Sequence, residues 1–159
     1  MSLGQDCHIV RHQRHQRGAG SPHTQGSYVV LSTEDHLAIQ QLYAKYNHAI
    51  DSGDGAGWVR CFSPDAVFTS PAGTFRGSAE LEGFAAWYSP LMKARHWTNN
   101  LVLEGDDKTA EGSCYLILFR LTPEETPPAG IYATGIYQDT LRKDGAGWSF
   151  TSRNATFDS

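Results

Sequence analysis

The chain has 159 residues, 40% of them hydrophobic and 19% charged, with a formal net charge of -4. That is about one domain of sequence, long enough to bury a core without disulfide or metal support. A net-negative charge weighs against nucleic acid as a partner, since phosphate backbones need a basic face. Cys7, Cys61 and Cys114 are few, odd in number and far apart, which fits free thiols in a reducing compartment. No apolar run approaches the ~20 residues of a membrane span, and no signal-peptide core precedes Leu31. A soluble, cytoplasmic protein with no membrane partner is expected.

Residues 1–31 read as an N-terminal arm. The tract "RHQRHQRGAGSPHTQGS" offers almost nothing to bury and is expected to be flexible. His12 and His15 stand in it without Cys, Asp or Glu partners, so a solvated basic tail outweighs a metal site. The folded domain spans 32–159. Ser32 followed by Asp35 resembles a capping box with Asp in place of Glu. Leu37, Ile39, Leu42, Tyr43, Tyr46, Ala49 and Ile50 then recur at helical spacing, and "DSGDG" stops the helix. "GAGWVRCF" reads as a short second helix. "DAVFTS" and "GTFRG" read as short strands around a "PAG" turn, and "SAELEGFAAWYSPLMKA" as a third helix capped by Ser78.

From Arg95 the period changes to that of strands. "RHWTNNLVLEG", "TAEGSCYLILFRLT", "GIYATGIYQDTLRK" and "GWSFTSRNATF" are separated by the turns "GDDK", "PEETPPAG" and "KDGAG". Consecutive strands with short loops predict an antiparallel meander, and the whole an α+β layout with helices on one face and a pocket on the sheet's concave face. Strict alternation puts His96, Thr98, Asn100 and Val102 on one face of the first long strand, and Trp97, Asn99, Leu101 and Leu103 on the other. In the last strand it sets Arg153 opposite Trp148 and Phe150, unless a bulge intervenes.

The ionisable residues with the best case for chemistry are Tyr46, Asp51, His96 and Arg153. Each has a plain structural reading. Tyr46 fits the core, Asp51 a helix stop, His96 a hydrogen-bonded strand residue, and Arg153 the surface. Together they make the parts of a proton-transfer site: an imidazole base, a carboxylate to orient it, a phenol donor and a cation. Tyr46 and Asp51 are five residues apart, a ~140° turn of ideal helix, so they converge only if the helix ends near Ile50.

The order "LAIQQLYAKYNHAIDSGD…CFSPDAVF…GTFRG…ARHWTNN…YATGIYQDTLRKDGAGWSFTSR" resembles the SnoaL-like branch of the nuclear transport factor 2 superfamily over about residues 33–157. The resemblance implies a cone-shaped, strongly curved antiparallel sheet wrapped by three N-terminal helices around a deep cavity. It also implies no cofactor and no metal, a hydrophobic small-molecule substrate, and a homodimer or homotrimer. Lyases of that superfamily carry a helix-end Asp, a strand His and a late Arg at the positions of Asp51, His96 and Arg153. One branch places Lys where this chain has Tyr46, and Tyr points instead to loss of water or to enolisation. The implied function is a cofactor-free dehydratase acting on a ring-bearing, polyketide-like or steroid-like substrate. Trp58, Trp97, Asn100, Tyr115 and Tyr132 are the residues expected against that substrate, and Phe84, Trp87 and Tyr88 are further aromatics near it. An isomerase or cyclase working through the same enolate, and a non-catalytic ligand binder or oligomeric scaffold, remain open, because this fold hosts many functions.

Overall fold

The computed structural model describes residues 30–121 and 129–158 of the chain. The expectations placed on Cys7, His12, His15 and most of the arm, and on the turn after Leu121, lie outside the described residues. The elements in chain order are α1 (Thr33–Ser52), α2 (Gly55–Val59), β1 (Phe62–Ser70), β2 (Gly73–Arg76), α3 (Gly77–Leu91), β3 (Ala94–Gly105), β4 (Thr109–Arg120), β5 (Gly130–Asp144) and β6 (Gly147–Phe157). All six strands form one sheet in the order β2-β1-β6-β5-β4-β3. The meander β3 to β6 is antiparallel as expected. The sheet as a whole is mixed, because β1 pairs parallel to β6. That pairing joins strands at opposite ends of the domain, so no local turn signals it.

α1 begins with the box read from the sequence. Ser32 Oγ accepts from the Asp35 backbone N–H at 3.0 Å and donates to the Asp35 carboxylate at 2.8 Å. Its buried face is Asp35, Ile39, Leu42, Tyr43, Tyr46, Ala49 and Ile50. Leu37, expected on that stripe, is 60% exposed. It stands two residues from Ile39, half a turn away, and Asp35 takes the inward place. Gly53 ends α1 at φ 77°, a left-handed cap whose N–H reaches the Ile50 carbonyl. Ser78 does not cap α3 but lies inside it. The cap position is Arg76, whose backbone N–H is held by Glu80 at 2.7 Å. Leu31, assigned by sequence to the arm, is buried and its N–H bonds the Gly105 carbonyl.

Bulges interrupt the ladders β3/β4, β4/β5 and β5/β6, and each bends the sheet and resets which residues face inward. On β3, Asn100 and Leu101 stand against one residue of β4, with Asn100 at φ 54°. Leu101 and Leu103 therefore turn toward the core and Val102 turns out, the reverse of strict alternation. On β6 the extra residue is Thr151, so Arg153 joins Trp148 and Phe150 on the inner face. The concave side is packed with aromatic rings in edge and tilted contacts: Trp58 lies 4.9 Å from Phe62, and Phe84 lies 5.0 Å from Phe68.

Asp35 ties the start of α1 to the β5–β6 hairpin. Its carboxylate accepts from Lys143 Nζ at 2.7 Å and Trp148 Nε1 at 2.8 Å. Hydrogen bonds from Lys143, Trp148 and Ser32 hold this carboxyl well below the usual range. A depressed folded-state value stabilises the fold above the unfolded Asp value and loses that effect as pH falls through the folded one. Asp35→Asn should therefore lower the urea midpoint near neutral pH. The gap to wild type should narrow as the pH drops below ~4.

Candidate active site

The end of α1 and the start of β3 meet at Asp51 and His96. His96 Nδ1 lies 2.6 Å from Asp51 Oδ1, and the His96 backbone N–H also points at the carboxylate, 3.2 and 3.1 Å from its two oxygens. The side chains of Asp51 and His96 are 10% and 8% exposed, so the pair is largely shielded from water. A neutral ring bonded this way carries its proton on Nδ1 and leaves Nε2 as a base.

His96 stands between two hollows. On one side a groove of about 620 Å³ runs between α1 and β3, bordered by polar groups including Asn47, His48, Asp51 and Thr98. On the other side a cavity of about 320 Å³ lies among Tyr46, Phe84, Tyr88, Met92, Leu118 and Tyr137. Asp51 borders the groove and not the cavity. With Nδ1 bonded to Asp51, the ring of His96 stands in the wall between groove and cavity and borders both. Among the described residues, no Asp, Glu, Lys or Arg lines that cavity.

Tyr46 and Asp51 do not converge. α1 stays helical to Ser52, so the two keep their angular separation and face different hollows. Tyr46 forms the cavity floor at 2% exposure. Burial pushes its phenol up, while the Arg153 charge and the N–H groups of Trp58 and Arg153 pull the other way.

Arg153 is not at the surface and its partner is not Asp51. It is 1% exposed and makes a two-bond ion pair with Asp139, Nε to Oδ1 at 2.8 Å and Nη2 to Oδ2 at 2.7 Å. Its guanidinium lies over the rings of Tyr46 and Tyr137 at 4.1 Å and of Phe150 at 4.0 Å. Tyr43 donates to the same Asp139 carboxylate, and a Cβ at Gly112 would collide with the Tyr43 hydroxyl. Burial pulls Arg153 down, but the Asp139 charge and hydrogen bonds outweigh it and set the group well above its ordinary value. The sequence reading missed Asp139. Its place in the alternation Gly135, Tyr137, Asp139, Leu141 marks it as inward-facing and in need of a cation.

The five expected substrate contacts separate. Tyr132 borders the cavity, with Arg120 4.6 Å above its ring. Trp58 is fully buried among Tyr46, Phe62, Phe68 and Phe84 and is core, not cavity wall. Trp97 and Tyr115 sit on the outer face of the sheet at 62% and 54% exposure, where alternation from inward His96 and Cys114 puts them. Trp97 and Asn100 border the groove and not the cavity. Phe84, Trp87 and Tyr88 do border the cavity.

An α+β cone whose strand histidine, paired with a helix-end aspartate, stands between a polar groove and an apolar cavity is the class that the fold and the site define. The chain belongs to the SnoaL-like domain family, which it matches over residues 32–154. A variant of Rv3472 from Mycobacterium tuberculosis, a protein of unknown function, is 30% identical over 80% of this chain and 78% of its own, with a TM-score of 0.75. A protein of Novosphingobium aromaticivorans described as NTF2-like with a cystatin-like fold is 21% identical over 78% and 82%, with a TM-score of 0.70. LinA is 23% identical over 79% and 90%, with a TM-score of 0.69. No curated protein matches the chain.

Removing one partner of a buried ion pair costs about 3–5 kcal/mol, because the other charge is left uncompensated. Asp139→Asn should therefore destabilise the protein on that scale in urea unfolding. Replacing both charges together, as Asp139→Leu with Arg153→Met, should cost less than Asp139→Asn alone.

Proposed function

We propose that the protein is an enzyme that converts a neutral, largely apolar small molecule by proton abstraction, and that the reaction is a cofactor-free dehydration. One observation carries the reading. A shielded Asp–His pair places its histidine ring in the wall of an apolar cavity that no charged side chain lines among the described residues. A cavity so lined favours a ring-bearing ligand with few polar atoms over a phosphorylated or highly charged one. The likeness to LinA, an HCH dehydrochlorinase, supports elimination as chemistry compatible with this fold.

In the proposed reaction His96 Nε2 takes a proton from the carbon next to a carbonyl. The C–H electron pair moves onto the carbonyl oxygen as an enolate, and Asp51 stabilises the imidazolium through Nδ1. The enolate then expels the β-hydroxyl, which leaves as water with the proton returned by His96. Tyr46, on the cavity floor, donates a hydrogen bond to the developing enolate or to the leaving hydroxyl. Arg153 acts from beneath, through the Tyr46 and Tyr137 rings, rather than by touching substrate.

The test is a screen of β-hydroxy ketones and related ring compounds with product mass as the readout. A product lighter by one water supports the dehydratase. An unchanged mass with a new absorption band moves the assignment to an isomerase or cyclase using the same pair. His96→Gln should lower turnover by ~10² or more while leaving binding intact. Asp51→Asn should also lower turnover, since an amide does not stabilise imidazolium. Tight ligand binding without turnover, equal in wild type and His96→Gln, would favour a binding protein.

The outer face supports a proposal about assembly. Ile131, Trp97, Val102 and Tyr115 expose 66%, 62%, 61% and 54% of their surface on neighbouring strands. A contiguous apolar face of this kind suits a second copy placed on a two-fold axis. Sedimentation should give a dimer for the wild type and a monomer for Ile131→Glu. A trimer would place the contact elsewhere.

A further inference from the structure

We propose that Tyr88 anchors the ligand's carbonyl oxygen: its phenol is the hydrogen-bond donor that stands beside the base in the cavity wall. For the identity of the reaction this rests on the reading above, but the position of the hydrogen bond does not depend on turnover. The first observation is an orphan. The Tyr88 hydroxyl oxygen is buried and has no hydrogen-bond partner among the described residues. A buried phenol without a partner is costly, and such groups are enriched where a ligand completes the bond. Tyr43, by contrast, spends its hydroxyl on Asp139.

The second observation is position. Tyr88 is on α3 and borders the cavity, and its ring centroid lies 6.2 Å from that of His96. Tyr46 has no such ring contact with His96. Its neighbours are Trp58, Phe62, Tyr137 and Phe150, deeper in the cone. A base works at ~3–3.5 Å from the carbon it deprotonates, and the carbonyl oxygen is only two bonds from that carbon. The donor to that oxygen must therefore stand beside His96, which Tyr88 does. A third point concerns charge. Burial, followed by the nearby Tyr46, Asp51 and Tyr132 oxygens, pushes the Tyr88 phenol well above its ordinary value, so it stays protonated as a donor. Tyr46, one layer down, is then free to meet a second oxygen. That fits a ligand with two oxygens a few bonds apart, such as a β-hydroxy ketone.

The experiment uses two probes. Acetylnaphthalene is a ketone whose oxygen only accepts hydrogen bonds, and isopropylnaphthalene has the same shape without the oxygen. Dissociation constants are measured for wild type, Tyr88→Phe and Tyr46→Phe, and the carbonyl stretch of bound acetylnaphthalene is read by infrared difference spectroscopy. The wild type should prefer the ketone by about tenfold, the scale of one buried hydrogen bond. The stretch should move to lower frequency on binding. Tyr88→Phe should lose both the preference and the shift yet bind isopropylnaphthalene as the wild type does, and Tyr46→Phe should lose less of each than Tyr88→Phe. No preference in the wild type, or a preference and shift retained in Tyr88→Phe, overturns the assignment. If Tyr88→Phe loses both while no compound in the activity screen is turned over, the donor stands and the catalytic reading falls.

Discussion

A guanidinium with no surface in water survives only where a carboxylate and good geometry replace its hydration. The Arg153–Asp139 pair meets that demand, and much of the inner wall is arranged around it. The two residues are direct cross-strand partners on β5 and β6. Tyr43 adds a third bond to the carboxylate, and the rings of Tyr43, Tyr46, Tyr137 and Phe150 surround the cation. Two of those rings, Tyr46 and Tyr137, are also cavity wall. The ion pair thus sets the angle of the cavity floor from behind. It leaves one open demand, since Arg153 Nη1 has no hydrogen-bond partner among the described residues. Arg153 stands behind the aromatic wall and lines neither the groove nor the cavity.

The Asp51–His96 pair has a different origin. Asp51 is in the last turn of α1, at the negative end of the helix dipole, and no basic residue stands in that turn to offset it. A carboxylate there is poorly placed unless donors come from elsewhere. β3 brings them: the His96 backbone N–H and ring nitrogen both turn toward it. The same contact fixes the ring's rotation, which a base needs more than strength alone. Helix end, strand start and ring orientation are therefore one local arrangement.

What the sequence made legible follows from what is local. The α1 capping box, its stop at Gly53 and the four long strands are written in spacings of a few residues, and the structure has them. Bulges leave no such mark, since one extra residue looks like any other. Three consequences were hidden for that reason: Leu101 facing in, Val102 facing out, and Arg153 reaching the core. Trp97 and Tyr115 were drawn toward the cavity by being aromatic, although alternation from His96 and Cys114 already sends them outward. Trp58 shows the converse. A Trp on a five-residue helix reads as a surface or pocket residue, yet α2 is pressed between α1 and α3 and its Trp is entirely core. The parallel β1–β6 pairing and the Asp139 partner are long-range facts that only the folded chain brings together.

The two hollows around His96 divide the electrostatic problem between them. General-base chemistry on an apolar ligand needs a dry, low-dielectric surface, where each hydrogen bond counts for more. It also needs a negative charge to stabilise the imidazolium, and a bare carboxylate in that dry space would be expensive. Here the carboxylate borders the polar groove, where Asn47 is bonded to Thr98 at 2.9 Å, and the imidazole spans the wall between. The cavity thus presents the histidine ring and phenols, while the carboxylate that supports them stays on the side of the polar groove. Moving the carboxylate across the wall would put its desolvation cost on the ligand's side. Leaving it out would remove what orients the ring. A strand histidine reaching between a helix-end aspartate and an aromatic cone satisfies both requirements with two side chains.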